Sequence, residues 1–311
     1  EDGQRDRERK LPVTADTLFP IGSCTKAFTA MAVAVTASTC KIERYPFSIA
    51  TGSFGPPTTI LNTTRAVTSM SASPDGRLLA FTAADATEDL VVMRTDGTGM
   101  VRLTNDRFRD RAPQWSADSS TVYFASNRSG QYEIWRVSAA GGPPELVARK
   151  EASAVLQPVV SPDNKYLAAL TVIPKLQLEL LDLSGPPETR VLRDIVPPEV
   201  PVPVVPFGWL KDGRLVAIAT TNGKDSQIVL YNPATRTSTS IATPGVTHVG
   251  FAADRYVFGS NSTAVDLTTG KSQSIKTFPG RGDSAISPDA KFAYAAPATT
   301  VTNVWMLTPA K

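Results

Sequence analysis

Residues 115–142 read WSADSSTVYFASNRSGQYEIWRVSAAGG, and this stretch decides the fold. A turn centred on Asp118 is followed by an apolar run, Val122 to Ala125, and a polar Asn-Arg-Ser-Gly turn leads into a second run, Glu133 to Val137. Runs rich in β-branched and aromatic residues between Gly/Asn/Ser/Asp turns read as strands of a meander. The same phrase recurs. Ser73-Pro74-Asp75-Gly76 precedes LLAFTA, Ser161-Pro162-Asp163-Asn164 precedes YLAAL, and Leu210-Lys211-Asp212-Gly213 precedes LVAIAT. Ala252-Ala253-Asp254-Arg255 precedes YVFGS, and Ser287-Pro288-Asp289-Ala290 precedes FAYAA. The six aspartates are spaced by 43, 45, 49, 42 and 35 residues, close to the period of a four-stranded propeller blade.

Each copy continues with a third apolar run, such as DLVVMRTD or QIVLYNPA, and most with a fourth, such as PELVARK. Three positions before the aspartates stand Ala72, Trp115, Val160, Trp209, Phe251 and Ile286, mostly large and apolar, as expected of residues packed between neighbouring sheets. No helical period runs through residues 70–311. The expectation is an all-β, six-bladed propeller. Before the first copy lie two orphan strands, IERYPFSIA and TTILNTTR, and the second can complete the last blade and close the ring. For the remaining slot, IERYPFSI competes with NVWMLTPA near the C-terminus, and the sequence does not decide between them. A ragged seventh blade is the alternative.

Composition agrees with a packed fold. Of 311 residues, 41% are hydrophobic and 20% charged, which excludes a disordered chain or a disulfide scaffold. The net charge of +3 points to neither nucleic acid nor anionic lipid as a partner. Two cysteines and one histidine are too few and too scattered for a Cys/His zinc cluster. No apolar stretch approaches the ~20 residues of a membrane span. The chain starts at Glu1 rather than Met, as when a leader has been removed or was never cloned.

The repeats resemble the TolB-like β-propellers, whose signature SPDGxxIAF followed by SxxxGxxxIW is best matched by residues 115–142, with the resemblance extending over about 41–311. It implies a six-bladed ring acting in protein or ligand binding outside the cytoplasm. Residues 1–40 differ in character. LPVTADTLFPIGSCTKAFTAMAVAVTAS carries an Ala-rich run, Thr25 to Ala37, expected to be helical. It resembles the SxxK segment of serine beta-lactamase and penicillin-binding-protein-like hydrolases. By that resemblance Ser23 is a nucleophile and Lys26, one helical turn on, its base or electrostatic partner. The rest of such a domain is missing; Lys276-Thr277-Phe278 lacks the glycine of its Lys-Thr-Gly strand. The expected organisation is a helical appendage, 1–40, through which the chain could oligomerise, and a propeller, 41–311. Cys24 and Cys40 could form a local staple, or Cys24 could be a buried apolar residue.

In a propeller the first residues of each inner strand line the central channel. Six positions before the aspartates stand Ser69, Ala112, Gln157, Pro206, His248 and Asp283; two further back stand Val67, Asp110, Val155, Val204, Val246 and Arg281. His248, Asp283 and Asp110 are candidate ligands of a divalent cation, and His248 with Asp283 a candidate acid–base pair. Asp110, Arg111, Gln157 and Arg281 are candidate ligand-binding residues. Other six-bladed propellers, lactonases and paraoxonase-like esterases, hydrolyse esters with a metal at this place. Gly280-Arg281-Gly282-Asp283-Ser284 spells an adhesion tripeptide that reads equally as a loop between blades, and Pro197–Pro203 as a stiff crossing loop or a polyproline dock. Three functions remain open: a binding module for a protein or small ligand, a hydrolase of activated esters or phosphoesters at the channel mouth, and a Ser23/Lys26 hydrolase.

Overall fold

A computed structural model describes residues 38–148, 155–171, 177–186, 204–221, 225–243, 249–259, 262–277 and 284–300, with 4–6, 11–12, 190, 193–194 and 279. The chain divides into two compact units, Glu1–Ser38 with Thr300–Lys311, and Thr39–Thr299. In the first, Gln4–Asp6 pairs antiparallel with Leu11–Pro12. The expected helix over Thr25 to Ala37 and the NVWMLTPA strand lie outside the described residues, as do Ser23, Lys26 and Cys24.

The second unit is a propeller of six antiparallel sheets. Blade 1 runs through Ala66–Ala72, Leu78–Ala84, Glu88–Arg94 and Val101–Arg102, and blade 2 through Asp110–Trp115, Thr121–Ser126, Glu133–Ser138 and Glu145–Ala148. Blade 3 comprises Val155–Val160, Tyr166–Thr171, Gln177–Asp182 and Arg193–Asp194; blade 4 Val204–Trp209, Leu215–Thr221, Asp225–Asn232 and Thr237–Ala242. Blade 5 comprises Val249–Ala252, Tyr256–Gly259, Thr263–Asp266 and Ser272–Ser274. Among the described residues there is no helix.

Blade 6 is composite. Ser284–Ile286 and Phe292–Ala295 are followed not by a later strand but by Ser38–Ser48, with Phe292 opposite Pro46 and Ala295 opposite Glu43. Thr58–Thr63 lies outside it, Ile42 facing Leu61. The contest for the third slot therefore goes to IERYPFSI, and TTILNTTR closes the blade as the outer strand. Burial explains the choice. Ile42 is fully enclosed and packs with Val67, Leu79 and Phe81 of blade 1 and Tyr294 of blade 6.

Each pair of neighbouring blades shares an apolar cluster of this kind. Blades 1 and 2 pack through Leu90, Val92, Trp115 and Phe124, and blades 3 and 4 through Val159, Leu178, Trp209 and Leu215. The residues three before the aspartates carry the contact as expected. Trp115 donates its indole N–H to the Ser71 carbonyl of blade 1 at 3.0 Å, and Trp209 to the Val159 carbonyl of blade 3 at 3.1 Å. Where the earlier blade has glycine at that point, the side chain of the next blade moves in. A Cβ on Gly208 would stand 2.9 Å from Phe251, and one on Gly250 3.1 Å from Ile286.

The turns explain why Ser and Asp recur. Ser73 donates to Asp75 Oδ1 at 2.6 Å and accepts the Leu78 N–H at 2.9 Å, while Asp75 accepts the Arg77 N–H at 3.0 Å. Ser116/Asp118, Ser161/Asp163 and Ser287/Asp289 repeat the arrangement, with hydroxyl–carboxylate distances of 2.6, 2.6 and 2.7 Å. These bonds replace the ladder bonds that a tight turn cannot make. Blade 5 departs from the pattern. Ala253 and Asp254 are themselves left-handed, and Asp254 accepts the Lys211 N–H of blade 4 at 2.6 Å instead of closing its own turn.

Candidate functional site

The channel-facing positions inferred from the repeat are where the inner strands break register. Ser69, Ala112 and Gln157, six residues before their aspartates in blades 1, 2 and 3, have φ of 53°, 51° and 50°. At each the pairing with the second strand shifts, between Thr68 and Ser71, Arg111 and Gln114, and Leu156 and Val159. These are β-bulges with non-glycine residues in the left-handed region, each costing about 1–3 kcal/mol, and such strain persists only where the surroundings impose it. In blade 4 the shift falls between Pro206 and Gly208, where proline's fixed φ does not allow the left-handed form. Gln157 is half-buried, and its Oε1 is enclosed without a hydrogen-bond partner among the described residues.

The bulge also breaks the alternation that would set the residues two further back on the channel side. Val67, Asp110 and Val204 are buried at 3%, 0% and 1% exposure, so Asp110 does not lie on an open rim. Arg128, from the turn after the second strand of blade 2, grips both Asp110 carboxylate oxygens at 2.8 and 3.0 Å, and it also reaches Asp106 at 3.3 Å. Burial pushes the Asp110 carboxyl above its ordinary range against the pull of the Ser126 and Arg128 bonds. The guanidinium is in turn walled by Phe108, Phe124 and Trp135, at 5.4, 5.7 and 5.3 Å from the ring centroids. A cation approaching Asp110 would have to displace that arginine.

Arg111 turns to the adjoining blade. It makes a bidentate pair with Glu88, the second contact 2.7 Å, and lies over Tyr132 at 5.2 Å. Further buried carboxylates stand near the starts of the third strands: Asp89 with Arg65 at 2.9 Å, Glu133 with Ser129, and Glu179 with Thr171 at 2.6 Å. Arg128, Glu88 and Tyr132 were not singled out from the sequence, because they lie outside the repeat register used to find the channel. The Arg in the Asn-Arg-Ser-Gly turn, beside an Asp opening the inner strand, was the available signal.

Asp110, Arg111 and Gln157 are thus placed on neighbouring inner strands, each in its own setting. His248, Asp283 and Arg281 lie outside the described residues, as do the Arg281-Gly282-Asp283 tripeptide and Pro197–Pro203. Cys40 is a free thiol opposite Thr63. Among the described residues no three His, Cys, Asp or Glu side chains group as a metal site, and no helix is long and apolar enough to cross a membrane.

Residues 48–201 match the family model of the TolB beta propeller domain, and residues 2–40 match that of the beta-lactamases. An uncharacterized protein of Agrobacterium fabrum is 36% identical over 76 residues, 24% of this chain, and the chain spans only 26% of that relative. Among solved structures, a chain of a nidogen/laminin complex aligns at TM-score 0.57 and 12% identity, covering 76% of this chain and 90% of that one. An oligogalacturonate lyase in complex with manganese aligns at TM-score 0.51 and 14% identity, covering 87% and 99%. At such identities the likeness is one of fold. Repeat, blade count, ring closure and family match converge: the chain carries a TolB-like six-bladed β-propeller, preceded by a segment that matches the beta-lactamase family over residues 2–40.

Proposed function

We propose that the propeller is a binding module, taking a protein or small ligand at the channel mouth. The observation that carries this reading is the left-handed bulge repeated at Ser69, Ala112 and Gln157. Strain held at one register in three successive blades fixes backbone and side chains before a ligand arrives, and preorganisation is what a binding surface gains from it. The ion pairs of Asp110 with Arg128 and of Arg111 with Glu88 stiffen the inner strand that carries the bulge at Ala112.

A second reading is hydrolysis. The family match over residues 2–40 includes Ser23 and Lys26 and favours a Ser–Lys dyad acting on activated esters; His248 with Asp283, with or without a divalent cation, is the channel-mouth version. The deciding experiment assays p-nitrophenyl acetate, p-nitrophenyl butyrate and an activated phosphotriester with the intact chain, Ser23→Ala, His248→Ala and added chelator. The binding reading expects no turnover above the blank. Turnover lost in Ser23→Ala establishes the dyad, and turnover lost in His248→Ala or with chelator establishes the channel site; either result overturns the binding reading.

A further inference from the structure

The connection from blade 1 to blade 2 reads Asp106-Arg107-Phe108-Arg109-Asp110-Arg111. Its burial alternates. Phe108 and Asp110 face the blade, where both meet Arg128, while Arg107 and Arg109 are exposed and the Arg111 side chain is 40% exposed. The backbone is pinned at several points. The Phe108 N–H donates to Asp106 Oδ1 at 2.9 Å, the Arg109 N–H to Asn127 Oδ1 at 2.9 Å, and Arg109 bridges Glu88.

Every carboxylate nearby is already bound. Glu88 holds Arg111, Asp106 and Asp110 hold Arg128, and Asp85 and Asp89 hold Arg65. Arg107 and Arg109 have no ion pair among the described residues, although the chain has nearly as many acidic as basic residues, 29 against 32. The result is a short strip of guanidinium groups on a fixed backbone, with its local counter-charges spent on holding the arginines behind and beside it.

We propose that Arg107 and Arg109, flanked by the Glu88-paired Arg111, form a docking strip for an extended acidic peptide of a protein partner. This rests on the binding reading and specifies its partner. The arginines stand at every second position of the sequence, so a peptide with carboxylates at every second position offers one to each guanidinium. Guanidinium groups grip carboxylates bidentately and lose less entropy in doing so when already oriented. Phe108 and Tyr132 orient them here, with Arg107 at 5.4 Å over Phe108 and Arg111 at 5.2 Å over Tyr132. A single-stranded nucleic acid fits less well, since it needs open aromatic faces for its bases and both rings already carry a guanidinium.

The test measures fluorescence anisotropy of the full chain with a labelled (Glu-Thr)5 peptide, a block isomer carrying the same charges contiguously, and a uridine decamer, at low and physiological salt. Expected is saturable binding of the alternating peptide, weaker binding of both other probes, and about tenfold loss in the Arg107→Ala/Arg109→Ala variant. Arg77→Ala/Arg94→Ala, at the other end of blade 1, should leave the affinity unchanged. Thermal melting verifies folding, and Arg107→Gln/Arg109→Gln replaces the alanine pair if that pair melts early. The proposal is overturned if the wild type does not bind the alternating peptide, binds the block isomer or the uridine decamer as tightly, or is unaffected by the double variant. Ester turnover would overturn the binding reading while leaving this result standing, so the two failures are distinguishable.

Discussion

The indole N–H of Trp209 in blade 4 donates to the carbonyl of Val159 in blade 3 at 3.1 Å, and Trp115 in blade 2 does the same to Ser71 in blade 1. An indole hydrogen bond thus sits among the apolar side chains of each of these two interfaces. Trp209→Phe keeps most of the ring and removes the bond. It should cost about 1–2 kcal/mol, read as a lower denaturation midpoint with unchanged slope, whereas Trp209→Ala should cost about 3–5 kcal/mol by adding a cavity. A phenylalanine variant as stable as wild type would mean that the bond contributes nothing.

Gly208 makes room for Phe251 of the next blade. A methyl group there lies inside van der Waals contact, so Gly208→Ala should destabilise by about 1–3 kcal/mol. Phe251→Leu should recover part of that loss when combined with it. A double-mutant cycle showing no coupling between the two positions would disprove the contact.

Among the described residues Arg128 is the one cationic partner of the fully buried Asp110. Arg128→Ala leaves an uncompensated buried carboxylate and should cost about 3–5 kcal/mol at neutral pH. The sign of its pH dependence follows from burial. Without the arginine the Asp110 carboxyl is held further above its ordinary value, so the penalty shrinks as pH falls and the group protonates. Urea midpoints of variant and wild type should converge toward acid; a gap independent of pH would contradict this account.

At the bulges the usual effect of glycine should reverse. Ala112 has φ 51°, so Ala112→Gly should be neutral or stabilising by up to about 1 kcal/mol. Ala169→Gly, in the buried second strand of blade 3, should destabilise. Equal losses at the two sites would remove the evidence for strain on the rim.

Burial, with the bond and charge of Glu43 added, lifts the Tyr45 hydroxyl from 10.0 to about 12. A tyrosine that holds its proton more tightly when folded stabilises fully below pH 10, and that contribution is lost as pH rises from 10 to about 12. Tyr45→Phe should flatten this part of the stability profile. The difference between wild-type and variant phenolate absorbance should show a late titration, and Glu43→Gln should bring it earlier.

How much of this was legible depends on which residues carry a feature. Asp75, Asp118, Asp163 and Asp289 announce their turns because Ser and Asp there do the work of missing ladder bonds, and the blades follow from their spacing. Asp254 looked like a further instance, as Asp212 is, but it serves Lys211 of the neighbouring turn, a tertiary role that no local pattern distinguishes. The register expected to face the channel falls on Ser69, Ala112 and Gln157, which the structure shows as left-handed bulges. Ser69, Ala112 and Gln157 give no glycine signal for a left-handed turn, and so Asp110 was expected on the open rim rather than inside the blade. The cage around Arg128 gathers Phe108, Phe124 and Trp135 from separate segments, so only the fold brings it together.

The composite sixth blade has a consequence in time. Blades 1 to 5 each pair strands that follow one another in the chain, so each can form as soon as its own residues are available. Ser38–Ser48 must wait for Phe292–Ala295, across the whole intervening ring, and such long-range closure is slow. Until it occurs, the hairpin of Ser284–Ile286 and Phe292–Ala295 has an unpaired edge open to the wrong neighbour. The last step of assembly is therefore also the moment of greatest risk of misassembly, and a destabilising change at Ile42 or Tyr294 should lower the yield of refolded protein before it alters the finished ring.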